Sequence, residues 1–251
     1  LAPLAEMFRK SCECESWIRT DYLPTLAYEA QAKYYGHDFK SVAYLDRLDL
    51  FNRYDCGLVC EANKNLAFFM EEIYEHLKNS KFIIVLRDPV DLVRNRMLNF
   101  VVWLDALHTA SPYYCDDYRT FLSSQIDTTN NYFRIKPGNF DELGLLDLHI
   151  WELEQTLKTI IQSSKQLPSD AVKFVWYENL KVEIYDILQF IGGQRISQIA
   201  MEKTPKIKEV SAAFGSHTFN WVESQIVPRI PEIYKRISEV MNGINVQYHG
   251  V

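Results

Sequence analysis

One short segment constrains the fold of this chain more than any other. Phe82–Leu86 is a continuous run of apolar, mostly β-branched residues, and it is followed at once by Arg87, Asp88 and Pro89. Such a run is typical of a strand buried on both faces of a parallel sheet. Asp and Pro are typical of a first helical turn, because Asp caps free N–H groups and Pro has no N–H to satisfy. The segment therefore predicts a strand that leads directly into a helix, which we expect to run to about residue 108.

The same arrangement is predicted a second time further along the chain. Residues 172–177 are apolar except for Lys173 and predict a second buried strand, and residues 180–191 have the spacing of a helix that Gly192 and Gly193 end. Apolar residues at three- and four-residue steps indicate other helices. The remaining predictions are helices at 65–78, 146–163 and 224–241, two helices within 1–35, and loops with short helices over 109–145.

The order of these elements predicts the fold class. Strands separated by helices of ten or more residues favour parallel pairing, because parallel strands need a long crossover between them. We therefore expect an α/β fold in which a parallel sheet is flanked by helices on both faces. No internal repeat or linker interrupts the 251 residues, so we expect a single domain over 1–251.

Composition restricts the partners and the compartment. Lys and Arg number 27 against 33 Asp and Glu, and the net charge of −6 disfavours binding along a nucleic-acid backbone. No run approaches the roughly 18 apolar residues that a membrane span needs. The five cysteines are an odd number, and no N-glycosylation sequon is present. We therefore expect a cytoplasmic protein with no nucleic-acid partner and no membrane span.

Arg87 and Asn95 predict an anion site at one edge of the sheet. Arg87 follows a strand and Asn95 lies about two turns into the next helix, at the edge where open α/β sheets bind ligands. A guanidinium fork, an amide and a helix N-terminus all favour a phosphate there. The alternative for Arg87 is an ion pair with Asp88 or Asp91 that only ties the strand to the helix.

Two ordered motifs resemble the sulfotransferase family. The first is the strand followed by Arg87-Asp-Pro; the second, about ninety residues later, is Tyr177-Glu-Asn-Leu and a helix that ends at Gly192. The resemblance extends from about residue 58 to residue 192. It implies a P-loop NTPase-like sulfotransferase fold and transfer of a sulfuryl group from 3′-phosphoadenosine 5′-phosphosulfate to a hydroxyl or amine. The acceptor is expected to be a small molecule or a glycan, and no metal is implied.

The resemblance also implies roles for single residues. Arg87 and Asn95 would bind the 3′-phosphate, with Asn95 where the family usually has Ser, and Tyr177 would lie near the adenine. Lys64 would stabilise the charge that develops on the sulfuryl group in transit. Candidates for the base that takes the acceptor proton are Glu61, His149, His108 and residues expected upstream of Leu1. The alternatives are a solvated charge for Lys64, an ordinary strand-end aromatic for Tyr177, and a structural role for each histidine.

The chain departs from the family pattern in two places. Gly215 and Ser216 resemble part of the family's Arg-Lys-Gly loop and are predicted to offer backbone N–H groups to an anion, but Ala213 and Phe214 stand where Arg and Lys are usual. The family's Gly- and Ser/Thr-rich phosphate loop is not found in the chain, which begins at Leu1 rather than Met. We therefore expect an upstream first strand and phosphate loop in the natural protein.

Three further possibilities are weighed against this interpretation. A non-catalytic binding protein would keep the scaffold and lack the donor loop. A nucleotide-dependent phosphotransferase would need a Mg²⁺ carboxylate and a lysine-bearing phosphate loop. A zinc site would need different cysteine spacings from those of Cys12-x-Cys14 and Cys56-x-x-x-Cys60, so no metal site is predicted.

Overall fold

The computed structural model describes residues 15–17, 59–61, 70–107, 140–192, 216–242 and 244. The strands in these ranges are β1 (Glu15–Trp17), β2 (Val59–Glu61), β3 (Phe82–Leu86) and β4 (Val172–Trp176). The α-helices are α1 (Met70–His76), α2 (Pro89–Leu107), α3 (Leu145–Ser164), α4 (Leu180–Phe190), α5 (Ser216–Ile226) and α6 (Ile230–Met241). Short 3₁₀ helices cover Phe140–Glu142, Tyr177–Asn179 and Val227–Arg229.

β3 and β4 pair in parallel, which confirms the pairing predicted from the two apolar runs. The register runs from Phe82 opposite Val172 to Leu86 opposite Trp176. Helices α2 and α3 both lie in the connection between the two strands. The described residues are thus mostly helical around a small parallel sheet, as expected of the α/β class.

The strands are less buried than the sequence predicts. In β3 and β4 only Leu86, Val175 and Trp176 are buried, and the other strand residues are half-buried. The prediction of burial along the full length of both strands is therefore wrong. Its physical reason lies in the packing: Leu86 and Trp176, at the carboxyl ends, are the strand residues that belong to the helical core.

Four helices enclose that core and place it against the carboxyl ends of the strands. Buried apolar side chains of α2, α3, α5 and α6 contact one another and Leu86 and Trp176. Ile84 and Phe174, on the same face of the sheet, pack against the same cluster. Removal of this apolar surface from water is the main stabilising contribution to such a core. The residues that follow β3 and β4 are therefore held next to the helices.

The C-terminal part contains two helices where the sequence predicts one. α5 and α6 are separated by the 3₁₀ turn Val227–Arg229. Pro228 lies in that turn and Pro231 lies in the first turn of α6. Proline lacks an N–H and clashes inside an α-helix, but it fits a first turn. The single helix over 224–241 is therefore corrected to a helix, a turn and a second helix.

The N-terminal prediction also needs correction where the structure describes it. Residues 15–17 form a strand, not a helix, and β1 pairs in parallel with β2 from Glu15 opposite Val59 to Trp17 opposite Glu61. The partner strand lies far along the chain, so no local periodicity indicates this pairing. The rest of the predicted helices in 1–35, residues 65–69 and most of the predicted loop region 109–145 lie outside the described residues.

The remaining helices agree with the sequence to within about two residues. α4 ends next to Gly192, whose φ of 81° is in the left-handed region that favours glycine. Among the helices that the structure describes, none has both the length and the apolar character required to cross a membrane.

Candidate functional site

The register of the parallel strands brings Arg87 and Tyr177 together. Leu86 and Trp176 are the last paired residues of β3 and β4, so the residues that follow them are neighbours at the carboxyl edge. The Cζ atom of Arg87 lies 5.2 Å from the centre of the Tyr177 ring. This is within the range of a cation–π contact. Two residues that sequence motifs single out independently therefore touch in the fold.

Arg87 also has a carboxylate partner, Asp91 in the first turn of α2. Arg87 Nη2 donates one hydrogen bond of 3.3 Å to Asp91 Oδ2, and the two side chains are 25% and 40% exposed. Arg87 Nε is buried and has no hydrogen-bond partner among the described residues. The ion pair considered as the alternative for Arg87 is thus present, but it uses a single long bond and leaves part of the guanidinium unused.

Asp88 connects the tips of both strands to α2 and α6. Its Oδ1 accepts the backbone N–H of Asp91 at 3.0 Å, which is the helix cap that the sequence predicts. Its Oδ2 accepts the hydroxyl of Tyr234 at 2.6 Å, and its own N–H donates to Glu178 Oε1 at 3.0 Å. Asp88 therefore fixes the position at which α2 leaves the sheet.

Arg94, one turn further along α2, is held firmly by two carboxylates. Its Nη1 donates to Asp91 Oδ1 and its Nε donates to Glu223 Oε1 on α5. Burial lowers the pKa of Arg94. The hydrogen bond and charge of Glu223, with smaller contributions from Asp91 and Asp88, outweigh burial, so the pKa of Arg94 lies above its usual value. Arg94 is therefore a fully charged link between α2 and α5.

These side chains form one group, which we call the strand-tip cluster. Its members are Arg87, Asp88, Asp91, Arg94, Tyr177, Glu178, Glu223 and Tyr234. It contains two guanidinium groups and four carboxyl groups, so its carboxyl groups outnumber its guanidinium groups. An anionic ligand at this edge would share the Arg87 guanidinium with Asp91 or replace Asp91 on it.

Asn95 lies on the face of α2 that carries Asp91. The two residues are four apart in the helix, and side chains at that spacing are neighbours on a helix surface. Asn95 is half-buried. The predicted phosphate ligands Arg87 and Asn95 therefore lie on either side of Asp91.

His149 is placed away from this cluster. It lies on α3, is only 2% exposed, and burial lowers its pKa to about 3, with the charge of Arg96 acting in the same direction and that of Glu152 opposing it. Neither of these charged neighbours belongs to the strand-tip cluster. A buried imidazole with so low a pKa is neutral at pH 7 and a weak proton acceptor, as expected of the structural alternative.

The other predicted site residues are only partly described. Glu61 is the last residue of β2 and Ser216 the first of α5, and the structure describes their backbone but not their side chains. Lys64, His108 and Gly215 lie outside the described residues. Of the predicted site, the structure brings together Arg87 and Tyr177, with Asn95 close to the partner of Arg87.

Sequence reasoning missed three members of the cluster. Arg94 had a local signal, because it stands three residues after Asp91 on a predicted helix. Glu223 and Tyr234 had none, since their contacts with α2 and Asp88 span 129 and 146 residues of chain.

Comparisons of the chain with family models, with curated proteins and with solved structures find no match in any of the three. A functional assignment therefore depends on the strand-tip cluster and on the motifs that lead to it.

Proposed function

We propose that this protein is a sulfotransferase that uses 3′-phosphoadenosine 5′-phosphosulfate and transfers its sulfuryl group to a hydroxyl or amine of a small-molecule or glycan acceptor. The observation that carries the proposal is the contact between Arg87 and Tyr177 at the carboxyl edge of adjacent parallel strands. The two motifs of the family lie about ninety residues apart in sequence and meet at this edge, as a shared nucleotide site requires.

A comparison among the described arginines supports Arg87 as the phosphate ligand. Each of the other four makes a charge-assisted bond to a carboxylate that is clearly shorter than the 3.3 Å bond of Arg87. These pairs are Arg94 with Glu223, Arg96 with Glu152 at 2.6 Å, Arg229 with Asp147 at 2.7 Å, and Arg236 with Glu154 at 2.7 Å. The arginine least committed to protein carboxylates is thus the one at the predicted phosphate position.

The phosphate of the proposed nucleotide fits the Arg87 side chain in one further respect. The buried Nε of Arg87 lacks a hydrogen-bond partner among the described residues, and a buried donor of this kind is stabilised by an acceptor oxygen. Nε and an Nη of one guanidinium can bind two oxygens of a phosphate in parallel.

Each chain residue then has a defined task. Arg87 and the Asn95 amide hold the 3′-phosphate, and the Tyr177 ring offers an apolar face near the adenine. The bound donor supplies an activated sulfuryl group, whose bond to the phosphate oxygen breaks as a bond to the acceptor forms. Lys64 stabilises the charge that develops on the oxygens, and Glu61 takes the acceptor proton. The N–H groups of Gly215 and Ser216 contribute to anion binding. In this proposal no metal takes part in the reaction, and His149 has no catalytic role. The compartment that we propose is the cytoplasm.

One observation favours a second candidate, a non-catalytic binding protein on the same scaffold. The strand-tip cluster has more carboxylates than guanidinium groups, and Arg87 already pairs with Asp91. Such an edge can hold a strand and a helix together without any ligand. Transfer of labelled sulfate from the donor to members of an acceptor panel separates the candidates, because a non-catalytic protein transfers sulfate to none of them.

Calorimetry with 3′-phosphoadenosine 5′-phosphate tests the proposed phosphate ligand directly. We expect Arg87→Ala to weaken binding at least tenfold, because a hydrogen bond to a charged group contributes about 1.5–3 kcal/mol. Lys81→Ala is the matched control: it removes the same charge from the opposite end of β3, where Lys81 pairs with the exposed Asp170. Equal affinities of Arg87→Ala and the wild type would contradict the assignment.

A further inference from the structure

The contact between Arg87 and Asp91 places a carboxylate where the proposed function needs a phosphate oxygen. Arg87 Nη2 donates to Asp91 Oδ2, and Asp91 lies one turn before Asn95 on the same face of α2. A ligand phosphate held by Arg87 and Asn95 would therefore compete with the Asp91 carboxylate for the same guanidinium.

Asp91 keeps other partners when Arg87 leaves it. Its second oxygen, Oδ1, accepts from Arg94 Nη1, and its backbone N–H donates to Asp88 Oδ1 at 3.0 Å. Arg94 is itself anchored by Glu223 on α5. Departure of Arg87 thus leaves Asp91 with one charged partner, Arg94, and with its backbone N–H still bonded to Asp88.

We propose that Asp91 is a built-in competitor of the nucleotide phosphate, which occupies Arg87 in the free protein and releases it to the ligand while Arg94 retains Asp91. This inference rests on the proposed function and adds to it a regulation of the same site. The exchange is easy because the pair is partly exposed and uses one long bond, and pairs of this kind contribute little free energy. The competition lowers nucleotide affinity and makes release of the spent nucleotide faster.

The test is the affinity of Asp91→Asn for 3′-phosphoadenosine 5′-phosphate, measured by calorimetry beside the wild type and Arg87→Ala. Loss of the competing carboxylate is expected to tighten binding about two- to fivefold, the range set by a partly exposed ion pair. Glu178→Gln is the matched control. It removes one negative charge at the same edge and keeps an amide oxygen for the Asp88 N–H, without altering the partner of Arg87.

Each outcome decides between the two proposals. Tighter binding by Asp91→Asn with unchanged binding by Glu178→Gln supports the competitor. Equal or weaker binding by Asp91→Asn, while Arg87→Ala loses affinity, overturns the competitor and leaves the proposed function standing. If Glu178→Gln tightens nucleotide binding as much as Asp91→Asn does, the loss of any negative charge at this edge explains the effect, and the competitor is also overturned. Absence of binding in the wild type and in Asp91→Asn overturns both. Asp91→Ala, which favours the helix by propensity, replaces Asp91→Asn if the latter has a lowered melting temperature.

Discussion

Arg87 and His149 show how surroundings decide what a titratable side chain can do. Arg87 is a half-buried cation with one long bond to a carboxylate, so a ligand can recruit it. His149 is enclosed by the core, where burial favours the neutral ring and lowers its pKa to about 3. Sequence reasoning named both as candidate site residues, and sequence alone does not distinguish them because burial is set by distant elements. Tyr177 and Arg87, in contrast, could be placed together from strand order.

The low pKa of His149 has a measurable effect on stability. The folded protein binds the imidazole proton only near pH 3, whereas the unfolded chain binds it near 6.5. The contribution of His149 to the free energy of unfolding is therefore complete above pH 6.5, and it is lost as the pH drops from 6.5 toward 3.

We expect the free energy of unfolding to fall by on the order of 1.5 kcal/mol between pH 6.5 and about pH 5 because of His149. Urea denaturation of the wild type and of His149→Leu at several pH values measures it, and His149→Leu is expected to flatten the curve over this interval. His76→Leu, on the exposed end of α1, is the control, because it removes an imidazole that the core does not enclose. The same slope in wild type and His149→Leu would count against this explanation.

The helices and strands differ in how far local sequence determines them. Phe82–Leu86 and the start of α2 follow from an apolar run and from Asp88 with Pro89, and both are found as predicted. The break before α6 had a signal in Pro228, which the amphipathic spacing on either side concealed. The pairing of β1 with β2 had none, because three residues form a strand only when a distant segment supplies hydrogen bonds.

The start of α2 depends on the Asp88 side chain. Replacement by Ala removes the cap on the Asp91 N–H and the acceptor for the Tyr234 hydroxyl, so we expect Asp88→Ala to lower the free energy of unfolding by about 1–2 kcal/mol. Asp88→Asn keeps a capping oxygen and is expected to lose less. Tyr234→Phe removes only the hydroxyl, and it measures separately how much its hydrogen bond to Asp88 contributes to the free energy of unfolding. Urea denaturation compares the three variants, and identical losses for Ala and Asn would disprove capping by this side chain.

The assembly of helices is held by the apolar core and by ion pairs that join its elements. Arg236 on α6 donates two bonds to Glu154 on α3, at 2.7 and 2.9 Å, and Arg229 donates to Asp147 at 2.7 Å. These pairs join residues 82 apart in sequence. Charge counts from sequence indicate neither the partners nor the net surplus of carboxylates in the strand-tip cluster, since both arise from the packing of α2, α3, α5 and α6.

Core packing is expected to govern the stability of the whole helical assembly. Ile233 of α6 is fully buried against the core, so Ile233→Ala should lower the free energy of unfolding by about 2–5 kcal/mol. Val182→Ala on α4 is the matched surface truncation, because Val182 is 83% exposed, and it should change the free energy by less than about 0.5 kcal/mol. Denaturant titration measures both, and similar small effects would contradict the placement of α6 in the core.

The parallel pairing of β3 with β4 also bears on the order of events in folding. Closing a loop of about ninety residues has an entropic cost that local helical contacts do not incur, and non-local pairings are accordingly slow to form. Turns of α2 and α3 are available to the chain before the two strands meet. We therefore expect the contact between Arg87 and Tyr177 to form only when this long-range pairing closes.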